Sequence, residues 1–395
     1  MEKGPAPSLL TLALLLSLAA VGALFYTPSL PQLTRFFHVS PNMVQLTVMT
    51  YLIGYAVSQL CYGPLSKQYG RKRAIYIGLV LAFLGSLGCG LSSLFHSFWL
   101  LVIARFIMAF GAAVGYALTF TILNDYYSVE ERRKLIPIVA IGMMLLPYGS
   151  VVLGGFIVEY LGWDIVFYVF CLYTLYVFLL ARRLPETANN SNQPYRLKET
   201  LKDYVAVLKF PQLTLFSLII GCCVAVFYIF SSVAPFLAIH VMSLTEGKFG
   251  LMNVIPILGF LFGTFIARRL AAKVSGISVV TLALILMFCF EGVMLLLFIF
   301  GLQNVWVLFI TAFFIMAALQ LVWANGTALA TRNIPDAAHA SSMMSFFNVG
   351  LGVIGVLVMS GFNLVSPTVL PLIFIGVTLV QLLALIIIRV KKVHE

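Results

Sequence analysis

The sequence predicts an all-α membrane protein of about twelve spanning helices in two bundles of six, and three observations carry that prediction. Hydrophobic residues make up 62% of the 395 positions and charged ones only 9%, where soluble domains carry roughly 25%; the mean hydropathy is +1.06. Apolar runs long enough to cross a bilayer recur along the chain, joined by short connections carrying charge, Pro or Gly. Helices satisfy their own backbone in lipid, whereas a barrel would show alternating segments of about ten residues, and these are absent. Finally, one long polar connection divides the runs six and six.

In order, the spans read 8–28, 43–64, 74–94, 98–123, 135–157, 163–182, 212–237, 247–268, 276–300, 304–330, 340–363 and 366–389. Lys3 ahead of the apolar Leu9–Phe25, with Ala19 and Ala20 inside it, raises a signal peptide as an alternative. The run continues through Tyr26-Thr27-Pro28 without a polar cleavage region, so a retained first helix is expected. The long connection opens with Glu186-Thr187-Ala188-Asn189 and sets the expected organisation: an N-terminal bundle over 1–182, a cytoplasmic linker over 183–211 and a C-terminal bundle over 212–395. Within the linker, Leu197, Leu201, Tyr204, Val205 and Leu208 recur between Lys198, Lys202 and Lys209. That spacing reads as an amphipathic helix on the interface or an ordinary solvated one.

Net charge is +11, but no compact basic domain exists, so the charge reads as orientation in a bilayer and no nucleic-acid partner is expected. Placing the N-terminus inside collects sixteen Lys and Arg on the cytoplasmic side, from Lys67 to Lys392, and puts both termini there. The expected location is the inner (plasma) membrane, as a monomer. The six cysteines fall in apolar segments without disulfide or zinc spacing. GxSxG, the phosphate-binding GxxxxGK[ST] and HExxH are absent, so an enzyme and an ATP-driven pump are disfavoured and neither cofactor nor metal is expected. The expected partners are a small-molecule substrate, lipid and, for a coupled cycle, protons.

The second span ends in Gly63-Pro64-Leu65-Ser66-Lys67-Gln68-Tyr69-Gly70-Arg71-Lys72-Arg73. Its glycines suit a tight turn and close helix approach. The stretch resembles the GxLxDxxGRK loop of the major facilitator superfamily. That resemblance implies two six-helix bundles rocking around a central site by alternating access, with gating roles for Gly63, Lys67, Gly70 and Arg71. Where the family has an Asp that latches the halves, this chain has Lys67. Gly263-Thr264-Phe265, 200 residues after Gly63-Pro64-Leu65, echoes the motif in the second half.

Arg105 lies about eight residues into the fourth span, on the order of 12 Å below the surface at 1.5 Å per residue. Arginine at a helix centre costs around 2.5 to 3.5 kcal/mol, so it is expected to face a bundle interior or wet cavity. Ala109, Ala112, Tyr116 and Thr119 share its face. Arg105 to Ala113 resembles the family's RxxQGxGAA helix, with Met108 in place of Gln, and the matched Arg is functional there. Pro147, Gly149, Gly154 and Gly155 resemble the antiporter motif GxxxGPxxGG, with Val151 where a Pro is usual and the kink left to Pro147. Tyr26-Thr27-Pro28-Ser29-Leu30-Pro31 resembles the YLPALP stretch of the bicyclomycin-resistance type of twelve-helix drug:proton antiporters, and Asn325 and Ala340-Ser341-Ser342 are similar to that subfamily. The subfamily's acidic residue two positions before the Tyr is Leu24 here.

The candidate substrate contacts are therefore Arg105, Tyr26, Ala109, Tyr116, Tyr148, Tyr228, Gln320 and Asn325, and Asp125 and Pro147 join the gating set. Glu291 is the carboxylate nearest the middle of an apolar span. It is a candidate proton carrier, although the family fold puts the ninth helix at the periphery, where a protonated or locally paired structural Glu is the competing reading. With Arg105 and no carboxylate on the cavity-lining spans, the expected substrate is neutral or anionic. Proton coupling then falls to Glu291, the substrate or a loop-end carboxylate such as Asp125. The expected function is secondary export, as drug efflux or as dedicated export of a metabolite such as a polycarboxylate siderophore. A receptor or scaffold without transport is the alternative of another class.

Overall fold

The computed structural model describes residues 6–187, 206, 209–270, 273–331, 334 and 337–390. All regular elements among them are helical. They fall into two compact units, one of Met1–Val39 with Leu46–Thr200 and one of Ser40–Gln45 with Leu201–Glu395. The linker segment read as amphipathic lies outside the described residues except position 206.

In the first unit, α1 (Leu9–Leu24) starts on Ser8, whose Oγ accepts the Thr11 N–H. A single 3-10 turn at Thr27–Ser29 and α2 (Leu30–Phe37) follow, so the first span bends and continues past the expected residue 28. Pro28 and Pro31 have no N–H to give, and side chains serve the carbonyls at the bend: Thr27 Oγ1 donates to Leu24 O at 2.8 Å and Ser29 Oγ to Tyr26 O at 2.6 Å. Next come α3 (Pro41–Tyr69), which belongs to this unit from Leu46 onward, α4 (Arg71–Leu94), α5 (Phe98–Ala112), α6 (Val114–Tyr126), α7 (Val129–Leu161) and α8 (Ile165–Ala181).

Two details differ from expectation. Gly63 makes no turn, because α3 runs on through Pro64 to Tyr69; a Cβ at Gly63 would meet no described atom within 4 Å, so it is no close-approach point either. The turn falls at Gly70, whose φ of +91° suits glycine. The fourth span is two helices, α5 and α6, divided at Ala113. Small residues bring α4 against α5: a Cβ at Gly85 would lie 2.2 Å from Met108 N, and one at Gly111 2.2 Å from Ala82 N.

The second unit comprises α9 (Pro211–Pro235) with a π-helical turn at Phe236–Val241, α10 (Glu246–Met252), α11 (Val254–Leu270), α12 (Gly276–Ile299), α13 (Val305–Ala330), α14 (Ala337–Ser360) and α15 (Val369–Val390). Gly259 and Gly263 seat α11 on α13, where a Cβ would come 2.1 Å from Phe313 O and 2.3 Å from Ala317 O. Gly263 therefore does the packing work that its sequence echo, Gly63, does not.

Among the described residues ten helical runs are long and apolar enough to cross a bilayer, and Leu145–Leu161 and Ile165–Ala181 are shorter apolar helices. Their outward faces are as oily as their inward ones. On α12, Leu284, Met287 and Met294 are buried while Leu282, Ile285, Val293 and Leu296 point outward. A surface of that kind suits lipid and not water.

Candidate functional site

Arg105, the eighth residue of α5, is completely buried within the first unit. Its Nη1 donates to Gly22 O at 2.8 Å and its Nε to Thr47 O at 3.3 Å. The guanidinium lies between two aromatic faces, with Cζ 3.8 Å from the Tyr26 ring centre and 4.0 Å from that of Tyr51. Tyr26 Oη is 3.1 Å from Thr47 Oγ1, and Tyr51 Oη donates to Ala19 O at 2.7 Å. Met108 Sδ is 3.7 Å from Nη1.

Each part of this arrangement has a local cause. Gly22 lies in the last turn of α1, where carbonyls lose their helical donors, and Arg105 supplies one while placing positive charge at a helix C-terminus. A Cβ at Gly22 would come 2.5 Å from Tyr51 Oη, so only glycine lets the ring reach. Such stacked cation–π contacts are worth about 0.5 to 2 kcal/mol each. Together with the carbonyls they hold a cation that has no carboxylate among its bonds. Nη2 is buried with no partner among the described residues.

Of the other candidates in this unit, Ala109 is fully buried, 3.3 Å from where a Cβ on Gly54 of α3 would lie. Tyr116 is half-buried, its ring edge-on to Tyr55 at 6.2 Å, and Tyr148 is half-buried on α7. Pro147 is buried inside an α7 that stays continuous through it.

Of the gating candidates, Gly70, Arg71 and Asp125 come together at the start of α4. Arg71 donates from Nε to Asp125 Oδ2 at 3.2 Å and from Nη1 to Ser66 Oγ at 2.6 Å, and Thr187 Oγ1 donates to the same Asp125 oxygen at 3.1 Å. Glu186 accepts the backbone N–H groups of Arg71 at 2.8 Å and Lys72 at 3.1 Å, while Lys72 Nζ donates to Arg182 O at 2.8 Å. Gly70 has no side chain with which to cap α4, and Glu186 does so from outside. Lys67 is exposed in the last turn of α3.

In the second unit, Tyr228 is buried on α9 with its ring against Gly352. Gln320 on α13 buries an Oε1 without a partner among the described residues, and Asn325 donates to Leu321 O of its own helix at 2.9 Å. Glu291 is fully buried on α12 and accepts from Thr378 Oγ1 at 2.9 Å.

Sequence reasoning put Arg105 and Tyr26 in one set of candidate contacts, left out Gly22, Thr47 and Tyr51, and read Glu186 as linker. The missing signal for Glu186 was the bare N-terminus of α4: a glycine followed directly by a helix needs an acceptor from elsewhere.

A model of the Major Facilitator Superfamily matches residues 11–359. The chain is 26% identical over 353 residues to a bicyclomycin resistance protein homolog of Haemophilus influenzae, covering 88% of this chain and 87% of that one. It is 26% identical over 352 residues to multidrug resistance protein D of Escherichia coli, covering 88% and 86%. With a chloramphenicol resistance protein of Pseudomonas aeruginosa it shares 28% over 370 residues, covering 89% and 84%. Among solved structures a D-xylose-proton symporter superposes with a TM-score of 0.74 at 15% identity, covering 94% of this chain and 96% of that one, a likeness of fold alone. With its apolar helices and a family match running from the first span to near the end of α14, this chain is a multi-pass membrane transporter belonging to the Major Facilitator Superfamily.

Proposed function

We propose that the protein is a secondary exporter of a small neutral or anionic organic compound, working by alternating access in the inner membrane with both termini cytoplasmic. The observation that supports this most is the housing of Arg105. Its charge is balanced by two tyrosine faces and two backbone carbonyls, with no carboxylate bonded to it, and Nη2 remains a spare donor for an acceptor on a bound molecule. A cation held this way repels a cationic ligand and attracts an anion or a carbonyl dipole.

Relatives named for resistance to bicyclomycin and chloramphenicol make drug efflux the first reading, with Tyr26, Tyr116, Tyr148, Tyr228, Gln320 and Asn325 as further contacts. Arg71 with Asp125 and Gly70 serve as the gating cluster, and protons are the proposed coupling ion. The same positive site suits a polycarboxylate metabolite, which keeps dedicated export as the second reading. Binding of chloramphenicol, citrate and ethidium to purified protein tests the charge preference: the first two should bind and ethidium should not. Tight binding of ethidium alone overturns the proposal.

A further inference from the structure

Glu291 is the one completely buried carboxyl among the described residues, and the Arg105 cluster does not use it. Its Oε1 accepts from Thr378 Oγ1 on α15 at 2.9 Å. Gln381, three residues further along α15 and so on the same face, donates through Nε2 to Ile219 O at 2.8 Å and Cys223 Sγ at 3.2 Å, both on α9. Polar groups thus join α12, α15 and α9 inside the second unit. Two oxygens of the set, Glu291 Oε2 and Gln381 Oε1, are buried with no donor among the described residues.

The ionisable surroundings are sparse. On α13, which packs against α12, there is no ionisable residue; α9 carries Cys222, Cys223 and Tyr228, and α12 itself adds only Cys289. On α15 the only charge is Arg389, which donates to Thr281 Oγ1 at 2.7 Å. Thr281 lies ten residues from Glu291 along α12, or about 15 Å at 1.5 Å per residue. An ionised carboxylate here would stand without a counter-charge in an apolar interior, a costly state. A hard metal cation would take about six oxygen ligands, more than Glu291, Thr378 and Gln381 supply.

We propose that Glu291 is a resident proton site. The proton sits on Oε2, leaves the side chain neutral and provides the donor that the buried acceptors lack, so that Glu291, Thr378, Gln381 and Cys223 clasp α12, α15 and α9 together. The proton stays in place through the transport cycle, and any coupling proton travels on other groups. Nothing in the assignment depends on which compound is carried.

The test is an infrared titration of the full-length protein in lipid nanodiscs, between about pH 5 and 8, following the C=O stretch of protonated carboxylic acids. A band that persists across that range in the wild type, vanishes in Glu291→Gln and moves in Thr378→Val is the expected result. Thermal unfolding supplies the second readout. Glu291→Gln, which keeps a neutral group of the same shape, should unfold within about 2 °C of wild type, and Glu291→Ala roughly 5 °C or more below it. If the Ala variant fails to fold, the Gln variant and the infrared band still decide. Absence of the band, its loss within the titration, or a Glu291→Gln variant as unstable as Glu291→Ala overturns the proposal. So does stabilisation of wild type by sodium chloride over choline chloride, which would mark a cation site.

Discussion

Among the described residues each unit completely buries one side chain of the Asp, Glu, Lys and Arg types, Arg105 in the first and Glu291 in the second, and they house it in opposite ways. Arg105 in the first is enclosed by two aromatic rings, two carbonyl oxygens and a thioether. Glu291 in the second has one hydroxyl donor, Thr378, with the neutral Gln381 on the same helix face. The contrast follows from acid–base chemistry. A guanidinium stays charged under all ordinary conditions, so the fold must surround it with negative potential, and ring faces and carbonyls provide that without a carboxylate. A carboxyl can accept a proton and become neutral, so a hydrogen-bonding partner is enough.

Removing the charge from the first unit should break this comparison most visibly. Arg105→Ala removes the side-chain donor that Gly22 O receives and opens the space between the two rings. Transport of whichever probe binds should fall at least tenfold in reconstituted vesicles. Arg105→Lys should recover only part of it, because an ammonium cannot serve both carbonyls while stacking between two faces. Full transport by the Ala variant would show that the residue is purely structural.

The seams that set these helices in place come next. Gly111→Ala would push a methyl group against the α4 backbone at Ala82 and should cost about 3 kcal/mol or more, seen as a lowered unfolding temperature. Gly63→Ala has open space around it, but its new Cβ would sit against the ring of Pro64, so the net change should stay within about 1 kcal/mol. Equal effects at the two positions would show that packing does not separate them.

Smaller effects are expected at the cytoplasmic end of the first unit. Glu186→Ala removes the cap of α4 and should cost about 1 kcal/mol, with faster hydrogen exchange confined to the amides of Arg71, Lys72 and their neighbours. Unchanged exchange there would mean that the cap is dispensable. Lys67→Asp reverses a charge at the C-terminal end of α3 and should lower stability by roughly 0.3 to 1 kcal/mol, an amount that shrinks in high salt.

How much of this was legible depended on whether a residue's meaning lay in its own chemistry or in its neighbours. Arg105 stood out because a charge inside an apolar run is costly wherever the helix packs. Tyr51 and Met108 did not, since aromatic and thioether side chains are ordinary in such runs and only the approach of α3 to α5 gives them a cation to face. Gly63 and Gly70 looked alike as motif glycines, yet one is an unremarked helical residue and the other a turn with positive φ. Glu186 looked like linker because it is remote in sequence from the amides it caps.

By itself the sequence determined the bilayer as solvent, the number and order of apolar spans and the presence of a buried cation and a buried carboxyl, because hydropathy and charge burial are properties of local composition. Only the tertiary structure decided what surrounds those two groups. The bend after α1 frees the carbonyl that Arg105 binds, and the packing of α12 and α15 brings Thr378 to Glu291 while Gln381 reaches Ile219 and Cys223 on α9. Hydrogen bonds and ring contacts act over a few ångströms between residues tens to more than a hundred positions apart, a distance that no local pattern encodes.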